Sequence, residues 1–279
     1  MNWFIIDKII KDALSEDISF GDVTTEGIIS EESFCSVDLI AKEEGILAGI
    51  EVFKRVYGIV GEVDVEFFIS EGEKVNKGQV IGIIKGRTRK VLLGERVALN
   101  LLQRLSGIAS LTREFVDKLE GTKVKLLDTR KTTPNLRILE KYAVRVGGGY
   151  NHRFNLSDGV LIKDNHIDAA GGIKEAIERA REYAPFVRKL EVEVENLEEV
   201  KEALYAEADI IMLDNMNVDT IKEALKIIDG KAEVEVSGNV TLDTIKSIAN
   251  TGVDYISSGY LTHSYKAFDL SMKNLRILK

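Results

Sequence analysis

From Thr122 onward the chain alternates short apolar runs that end in polar residues with stretches of helical periodicity. The predicted strands are residues 123–127, 159–163, 189–194, 209–213, 232–236 and 254–257. The predicted helices between them are 135–146, 173–183, 197–206, 218–228 and 242–250. Such alternation demands parallel strands, because each return to the sheet runs through a helical crossover. A parallel sheet of this kind is either doubly wound or a barrel. No Gly-x-Gly-x-x-Gly follows a strand, which weakens the dinucleotide-binding version of the doubly wound sheet. The expectation is therefore an open (incomplete) α/β barrel of about six or seven strands.

Upstream the rhythm differs. Residues 2–15 have helical apolar spacing at Phe4, Ile5, Ile9, Ile10, Ala13 and Leu14, and 16–25 reads as a polar loop. Residues 36–41 and 63–69 alternate as strands, 80–84 is a continuous apolar run, and 51–57 is helical. Residues 92–119 form a long amphipathic connector, one or two helices broken near Gly107. The reading is α/β throughout: an N-terminal α/β sandwich domain over 1–108, the barrel over 109–267, and a closing segment, 268–279, that packs back on the first domain. The stretch Glu71-Gly72-Glu73-Lys74-Val75-Asn76-Lys77-Gly78-Gln79 resembles the turns of a biotinyl or lipoyl carrier. A carrier needs a modifiable lysine at a hairpin tip between matching strands, so a plain structural hairpin is the better reading.

Composition excludes several classes. A net charge of −8 argues against nonspecific nucleic-acid binding. Residues 1–13 carry Asp7 and Asp12 and lack the form of a signal peptide, and no apolar run reaches the length of a membrane span. Cys35 is the only cysteine, so no internal disulfide forms and a reducing cytoplasm is expected.

Within this acidic chain, Arg130 to His166 holds seven cationic residues against three anionic ones, a net +4. Clustered like charges repel unless an anion neutralises them, so a strongly anionic ligand is expected here. Barrel chemistry gathers at the carboxyl ends of strands. Those ends supply Asp128, Arg130 and Lys131; Lys163, Asp164 and His166; Glu193 and Glu195; Asp214 and Asn215; Ser237-Gly238-Asn239; and Ser257-Ser258-Gly259. Period-two alternation sets Glu191, Glu193 and Glu195 on one face against Val192 and Val194 on the other. Leu161 with Lys163, and Met212 with Asp214, share the inward face by the same count. Blander readings apply elsewhere. Glu191 and Glu195 suit ion pairs with lysines, Arg137, Lys141 and Arg145 suit a solvated helix face, and His263 suits a cap as well as a ligand contact. The two Ser-Gly loops match the usual barrel phosphate site.

Asp128-Thr129-Arg130-Lys131-Thr132-Thr133-Pro134, Asn151-His152-Arg153, Leu161-Ile162-Lys163-Asp164-Asn165-His166, Glu191-Val192-Glu193-Val194-Glu195 and Met212-Leu213-Asp214-Asn215 together resemble the quinolinate phosphoribosyltransferase family. Gly21-Asp22-Val23-Thr24-Thr25 and Glu95-Arg96-Val97-Ala98-Leu99-Asn100 match its N-terminal part. The resemblance implies an α/β domain on an open α/β barrel, and a homodimer or higher homo-oligomer with shared active sites. It implies quinolinate and phosphoribosyl pyrophosphate as substrates, with Mg²⁺, giving nicotinate mononucleotide, pyrophosphate and carbon dioxide in NAD biosynthesis. It implies that Arg130, Arg153 and Lys163, with His152 nearby, hold the quinolinate carboxylates. Lys131 and the partner's Arg96 would lie toward the pyrophosphate. Glu193 and Asp214 would hold ribose hydroxyls and metal, and Ser237, Gly238 and Gly259 the 5′-phosphate. The catalytic set so implied is Lys131, Lys163, Glu193 and Asp214. Val236 stands where the family has the first serine of Ser-Ser-Gly. The resemblance leaves two alternatives: a same-fold relative acting on another base, such as the molybdenum-operon relative, and the carrier module.

Overall fold

Residues 1–278 are described in the computed structural model. They cluster as two units: Met1–Arg113 with Thr133–Gly148 and Tyr265–Lys279, and Glu114–Thr132 with Gly149–Ser264.

The first unit opens with α1 (Trp3–Asp17), capped by the Asn2 side chain, which accepts the Phe4 N–H at 3.2 Å. Its buried stripe is Ile6, Ile10 and Leu14, at i, i+4 and i+8, whereas Phe4 is 95% exposed. The helix lies where the periodicity put it, but turned by part of a turn. The expected loop at 16–25 instead contains the start of α2 (Val23–Ile28), nucleated by Asp22, whose carboxylate accepts the Thr25 N–H. A sheet follows, built of β1 (Phe34–Ala41), β3 (Val63–Phe67), β5 (Val80–Arg87) and the C-terminal strand Leu270–Leu278. All pairs are antiparallel, in the order C-terminal strand, β1, β5, β3. The closing segment pairs with β1 of this unit through Leu270–Leu278, and Lys279 lies outside the described residues. The short β2 (Gly45–Ile46) pairs with β4 (Lys74–Val75). Because β4 pairs with β2 and β5 with β1 and β3, the carrier-like stretch at 71–79 is a pair of turns and not the hairpin expected of it. Helix α3 (Ile50–Val60) buries Phe53, Val56 and Tyr57 and sets Phe53 edge-on to Phe67.

Helix α4 (Thr88–Lys118) is unbroken. Gly107 does not interrupt it; a Cβ at that position would overlap the Lys266 carbonyl oxygen and meet Tyr265. The glycine is there for close approach, not for flexibility. Helix α5 (Arg137–Val146) clusters with this unit rather than with the barrel segment. Its Glu140, 0% exposed, pairs with Arg104 and accepts the Thr133 N–H at 3.1 Å. Lys141 is 2% exposed, so Arg137, Lys141 and Arg145 do not form the solvated face that their spacing suggested.

The second unit holds six parallel strands: β6 (Lys125–Leu127), β7 (Val160–Ile162), β8 (Leu190–Val194), β9 (Ile210–Asp214), β10 (Glu233–Ser237) and β11 (Tyr255–Ser257). Their order is β6-β11-β10-β9-β8-β7. From β7 to β11 each new strand adds beside the last, and β6 closes beside β11. A doubly wound sheet would reverse direction at a switch point. This order is that of a barrel, left open between β6 and β7, which do not pair with each other; on its outer edge β6 bridges to Tyr150. Between strands lie α6 (Asp164–Ala170), α7 (Ile173–Tyr183), α8 (Leu197–Tyr205), α9 (Val218–Ile228), α10 (Ile245–Ala249) and α11 (Tyr260–His263). Val192, Val194, Ile211, Leu213, Val234 and Val236 are all buried, as the alternation requires. Each such side chain contributes about 1.5–3 kcal/mol of burial.

Gly107→Ala separates two physical effects. Helix propensity alone favours alanine by about 1 kcal/mol. Overpacking against a backbone carbonyl costs about 1–3 kcal/mol. With the added Cβ overlapping a backbone oxygen, packing wins, so the variant should unfold at lower urea than the wild type; a raised midpoint would refute that account.

Candidate active site

The carboxyl ends of β6 to β11 reach one rim, where a cavity of about 590 Å³ opens. Its cationic side comes from Arg130 and Lys131 after β6, Arg153 before β7 and Lys163 after β7. Facing these are Glu193 of β8, Asp214 of β9 with Asn215, and Ser237-Gly238-Asn239 at the end of β10. Leu161 and Met212 add an apolar surface, and Thr129, His152 and Ser257 complete the lining. A second cavity of this unit, about 820 Å³, is at the opposite strand ends around Lys189, Asp209, Glu233 and Asp254. In barrels that end reads as stability, and the carboxyl end as chemistry.

Each wall is held from behind. The Lys131 N–H donates to Thr129 Oγ1 at 3.0 Å, and the Lys131 carbonyl accepts the Thr262 hydroxyl at 2.8 Å. Its backbone is thereby pinned while its side chain stays exposed. The Arg153 guanidinium donates to the Gly159 carbonyl at 3.1 Å. Burial, and then the nearby charge of Arg130, lower its pKa. Two guanidiniums held close at a partly buried site favour the arrival of an anion. Lys163 forms an ion pair with Glu193. The Lys163 N–H donates to His166 Nδ1 at 3.0 Å, so His166 caps α6 and stands outside the lining.

On the facing side, Asn215 and Asn239 both adopt positive φ, at 54° and 49°. Asn215 Nδ2 donates to Asp214 at 2.7 Å, Asn239 Nδ2 donates to Asn215 Oδ1 at 2.9 Å, and the Asn215 N–H donates to the Ser237 carbonyl. Gly238 has φ +87°, and a Cβ there would overlap the Asn215 amide. Only glycine fits both conditions. The next helices, α10 and α11, have 5 and 4 residues, too short to add much macrodipole. The polar groups lining the cavity here include the Ser237 hydroxyl and the backbone around Gly238. Val236 is buried and absent from the lining, so its place in the serine motif lies on the strand's other face.

Behind the cationic wall, Asp128 is 0% exposed and accepts Asn151 Nδ2 at 2.6 Å and the His152 N–H at 2.9 Å. His152 Nδ1 accepts the Arg153 N–H at 2.7 Å, and Nε2 faces Glu191 at 2.9 Å and Glu235 at 3.6 Å. Both ring nitrogens are engaged away from any incoming ligand, so His152 offers the cavity its ring, not a ring nitrogen. Glu191 faces this histidine instead of the expected lysine, and Glu195 is exposed, with its N–H donating to Glu199.

The structure gathers Arg130, Lys131, His152, Arg153, Lys163, Glu193, Asp214, Ser237 and Gly238 around one cavity. Gly259 lies beside it; a Cβ there would stand 2.7 Å from Lys131 Cδ. Arg96 is exposed on α4 in the first unit, while the lining comes from the second. His263 is exposed, with Nδ1 2.6 Å from the Ser264 hydroxyl. Sequence reasoning did not assign roles to Asn215 and Asn239. An asparagine directly after a strand end, able to adopt positive φ, was the available signal.

Two family descriptions match the chain: quinolinate phosphoribosyl transferase, N-terminal domain, over residues 22–106, and the C-terminal domain of the same over 108–273. A probable nicotinate-nucleotide pyrophosphorylase (carboxylating) of Bacillus subtilis is 47% identical over 273 residues, covering 98% of this chain and 94% of its own. The corresponding protein of Methanocaldococcus jannaschii is 46% identical over 281 residues, covering 96% and 97%. The crystal structure of NadC from Streptococcus pyogenes superposes with a TM-score of 0.96 at 49% identity, covering 100% of this chain and 99% of that one.

Asp128→Ala should expose how far the wall depends on one carboxylate. A hydrogen bond to a charged group contributes about 1.5–3 kcal/mol. Removing the acceptor of Asn151 and His152 should therefore lower the denaturant midpoint of unfolding clearly, and an unchanged midpoint would show the carboxylate dispensable.

Proposed function

The chain belongs to the quinolinate phosphoribosyltransferase family, and on that premise we infer that it transfers phosphoribose from phosphoribosyl pyrophosphate to quinolinate with decarboxylation. The products are nicotinate mononucleotide, pyrophosphate and carbon dioxide. The observation that carries this reading is the cavity itself, which sets four cations from three separate segments against two carboxylates and a Ser-Gly-Asn loop. Quinolinate brings two carboxylates, and the donor brings a 5′-phosphate and a pyrophosphate. Such a pair requires cations from several directions. The carrier alternative lacks its hairpin, since β4 and β5 do not pair.

Arg130, Arg153 and Lys163 would hold the acceptor carboxylates, with Leu161 and Met212 offering apolar contact to the flat ring. Lys131 would face the pyrophosphate, and Ser237, Gly238 and Gly259 the 5′-phosphate. As pyrophosphate departs, positive charge develops on the ribose, and the carboxylates of Glu193 and Asp214 stabilise it. The pyridine nitrogen attacks the anomeric carbon as the bond to pyrophosphate breaks. The resulting pyridinium draws the electron pair of the C2–carboxylate bond. Carbon dioxide leaves, and the C2 carbanion takes up a proton.

Glu193 and Asp214 also suit Mg²⁺, which is commonly held by one or two carboxylates together with substrate phosphates. When bound, it would neutralise charge on the departing pyrophosphate. A reducing cytoplasmic location is proposed as well, supported by the single, buried and unpaired thiol of Cys35.

Purified protein should release pyrophosphate with quinolinate far faster than with nicotinate, which lacks the 2-carboxylate. Equal rates would sink the acceptor assignment. A shared site in a two-fold dimer is proposed too, because Arg96 is exposed on α4 and the cavity lining comes from the second unit. Arg96→Ala and Lys131→Ala should each be nearly inactive. After the two are unfolded, mixed and refolded together, half the dimers are mixed, and one of the two sites in each is intact. Activity should return to roughly a quarter of wild type by that count of sites. No recovery would put both residues in one chain's site.

A further inference from the structure

Beneath the cationic wall lies a cluster with no part in the chemistry above: His152, Glu191 and Glu235, with the Ser257 hydroxyl beside them. One ligand atom from each of the three lies within 4.8 Å of the others. Glu191 and Glu235 are 4% and 1% exposed. Two buried carboxylates this close repel strongly and are poorly solvated, so they need compensating protons.

The backbone determines where the imidazole proton is. His152 Nδ1 accepts the Arg153 N–H, so it carries no proton itself. The ring is then neutral, with its one proton on Nε2. That N–H lies 2.9 Å from Glu191 and 3.6 Å from Glu235, and it serves the nearer. Glu191 Oε1, Glu235 Oε1 and Ser257 Oγ are buried without a well-formed hydrogen bond, and the Ser257 hydroxyl, close enough to Glu235 to favour its charged form, is outweighed there by burial and the Glu191 charge. One proton is missing from the cluster. The same geometry argues against a cation at these three ligands, because Nε2 would have to lose the proton that the Arg153 N–H confines to it.

We propose that Glu235 holds the missing proton, and that in this form it is a positioning residue for the acceptor wall. Its hydroxyl donates to Glu191, Glu191 accepts the His152 Nε2–H, and His152 accepts the Arg153 N–H. The chain of bonds therefore ends on the backbone of a residue that holds the acceptor. It also leaves one net negative charge, that of Glu191, near the Arg153 guanidinium, whose charged form Glu191 favours. Loss of the Glu235 proton would put a second charge there. It would compete for the His152 proton, loosen the Arg153 backbone and oppose an incoming dianion.

The surroundings agree with this assignment. Facing Glu235 are Met212 of β9, Tyr255 and Ser257 of β11, Glu191 of β8, and His152. Only Glu191, His152 and Tyr255 among these ionise, and the Tyr255 hydroxyl is turned to Glu233. Burial first, then the Glu191 charge, pushes the Glu235 carboxyl up to about 8.

The inference rests on the acceptor reading of the cavity, so the test separates the two. Quinolinate affinity is titrated by calorimetry from pH 6.5 to 9.5 on the full-length wild type and on Glu235→Gln, the isostere of the protonated acid. Wild-type affinity should fall about tenfold between pH 7 and 9 as the competent fraction declines. The variant should show no such fall. Thermal unfolding without ligand gives a second reading. An unfolded glutamate titrates near 4.3 and the folded Glu235 near 8, so the folded state holds the extra proton between them. Wild-type stability should therefore decline relative to the variant across that window and run level above it. Parallel affinity and unfolding curves would overturn the proposal. If wild type binds no quinolinate at any pH, the acceptor reading fails, and the ligand-free comparison still judges Glu235. Should the variant not fold, the carboxylic C=O band in infrared difference spectra of the wild type must titrate near pH 8; its absence would be fatal.

Discussion

Parallel pairing brings six strand ends to one rim, and nearly everything else in the second unit follows from that constraint. Period two then divides each strand between an apolar face under the helices and a face turned inward. The inner face carries polar groups at successive levels: the carboxyls of Glu191 and Glu235 deeper, and Glu193, Asp214 and the Ser237 hydroxyl at the mouth. A barrel interior is ordinarily filled with branched apolar side chains. Here part of that interior is polar, which is costly unless every group has a partner. The hydrogen bonds it does make run upward, from Glu191 through the His152 ring to the Arg153 N–H, while Asp128 accepts the His152 N–H.

The strand–helix order was legible because the apolar periods are strong and uninterrupted. Helices α7 and α9 coincide with their predicted ranges, at Ile173–Tyr183 and Val218–Ile228. The sites of failure have local causes. α2, α6 and α11 are short, and a helix of one or two turns leaves little periodicity to read. Gly107 looked like a break because sequence shows only what glycine permits, whereas its reason lies in a carbonyl 159 positions later. Lys141 looked solvated because spacing alone cannot reveal which face a helix turns to its neighbours.

The candidate site was legible for a different reason. Arg130, Lys131, Arg153 and Lys163 come from three separate segments, and structural ion pairs would not require them to meet; a shared anionic ligand would. Glu193 and Asp214 followed from strand alternation. The supporting atoms were less visible. Sequence treated Glu191 as an ion-pair partner for lysine, since a buried carboxylate usually has a cation beside it. What decides its partner is the His152 tautomer, and that depends on one backbone N–H whose position only the folded chain supplies.

This difference bears on how the acceptor wall works. Two guanidiniums at a partly buried site repel each other, and an arriving dianion relieves that repulsion. Too strong a counter-charge beneath them would do the ligand's work in advance and weaken its binding. A single carboxylate, shared between a neutral histidine and a second, protonated acid, is a moderate answer. It favours the charged form of Arg153 without adding a second counter-charge. The deep layer therefore bears on the charge that the mouth presents, even though neither Glu191 nor Glu235 lines the cavity.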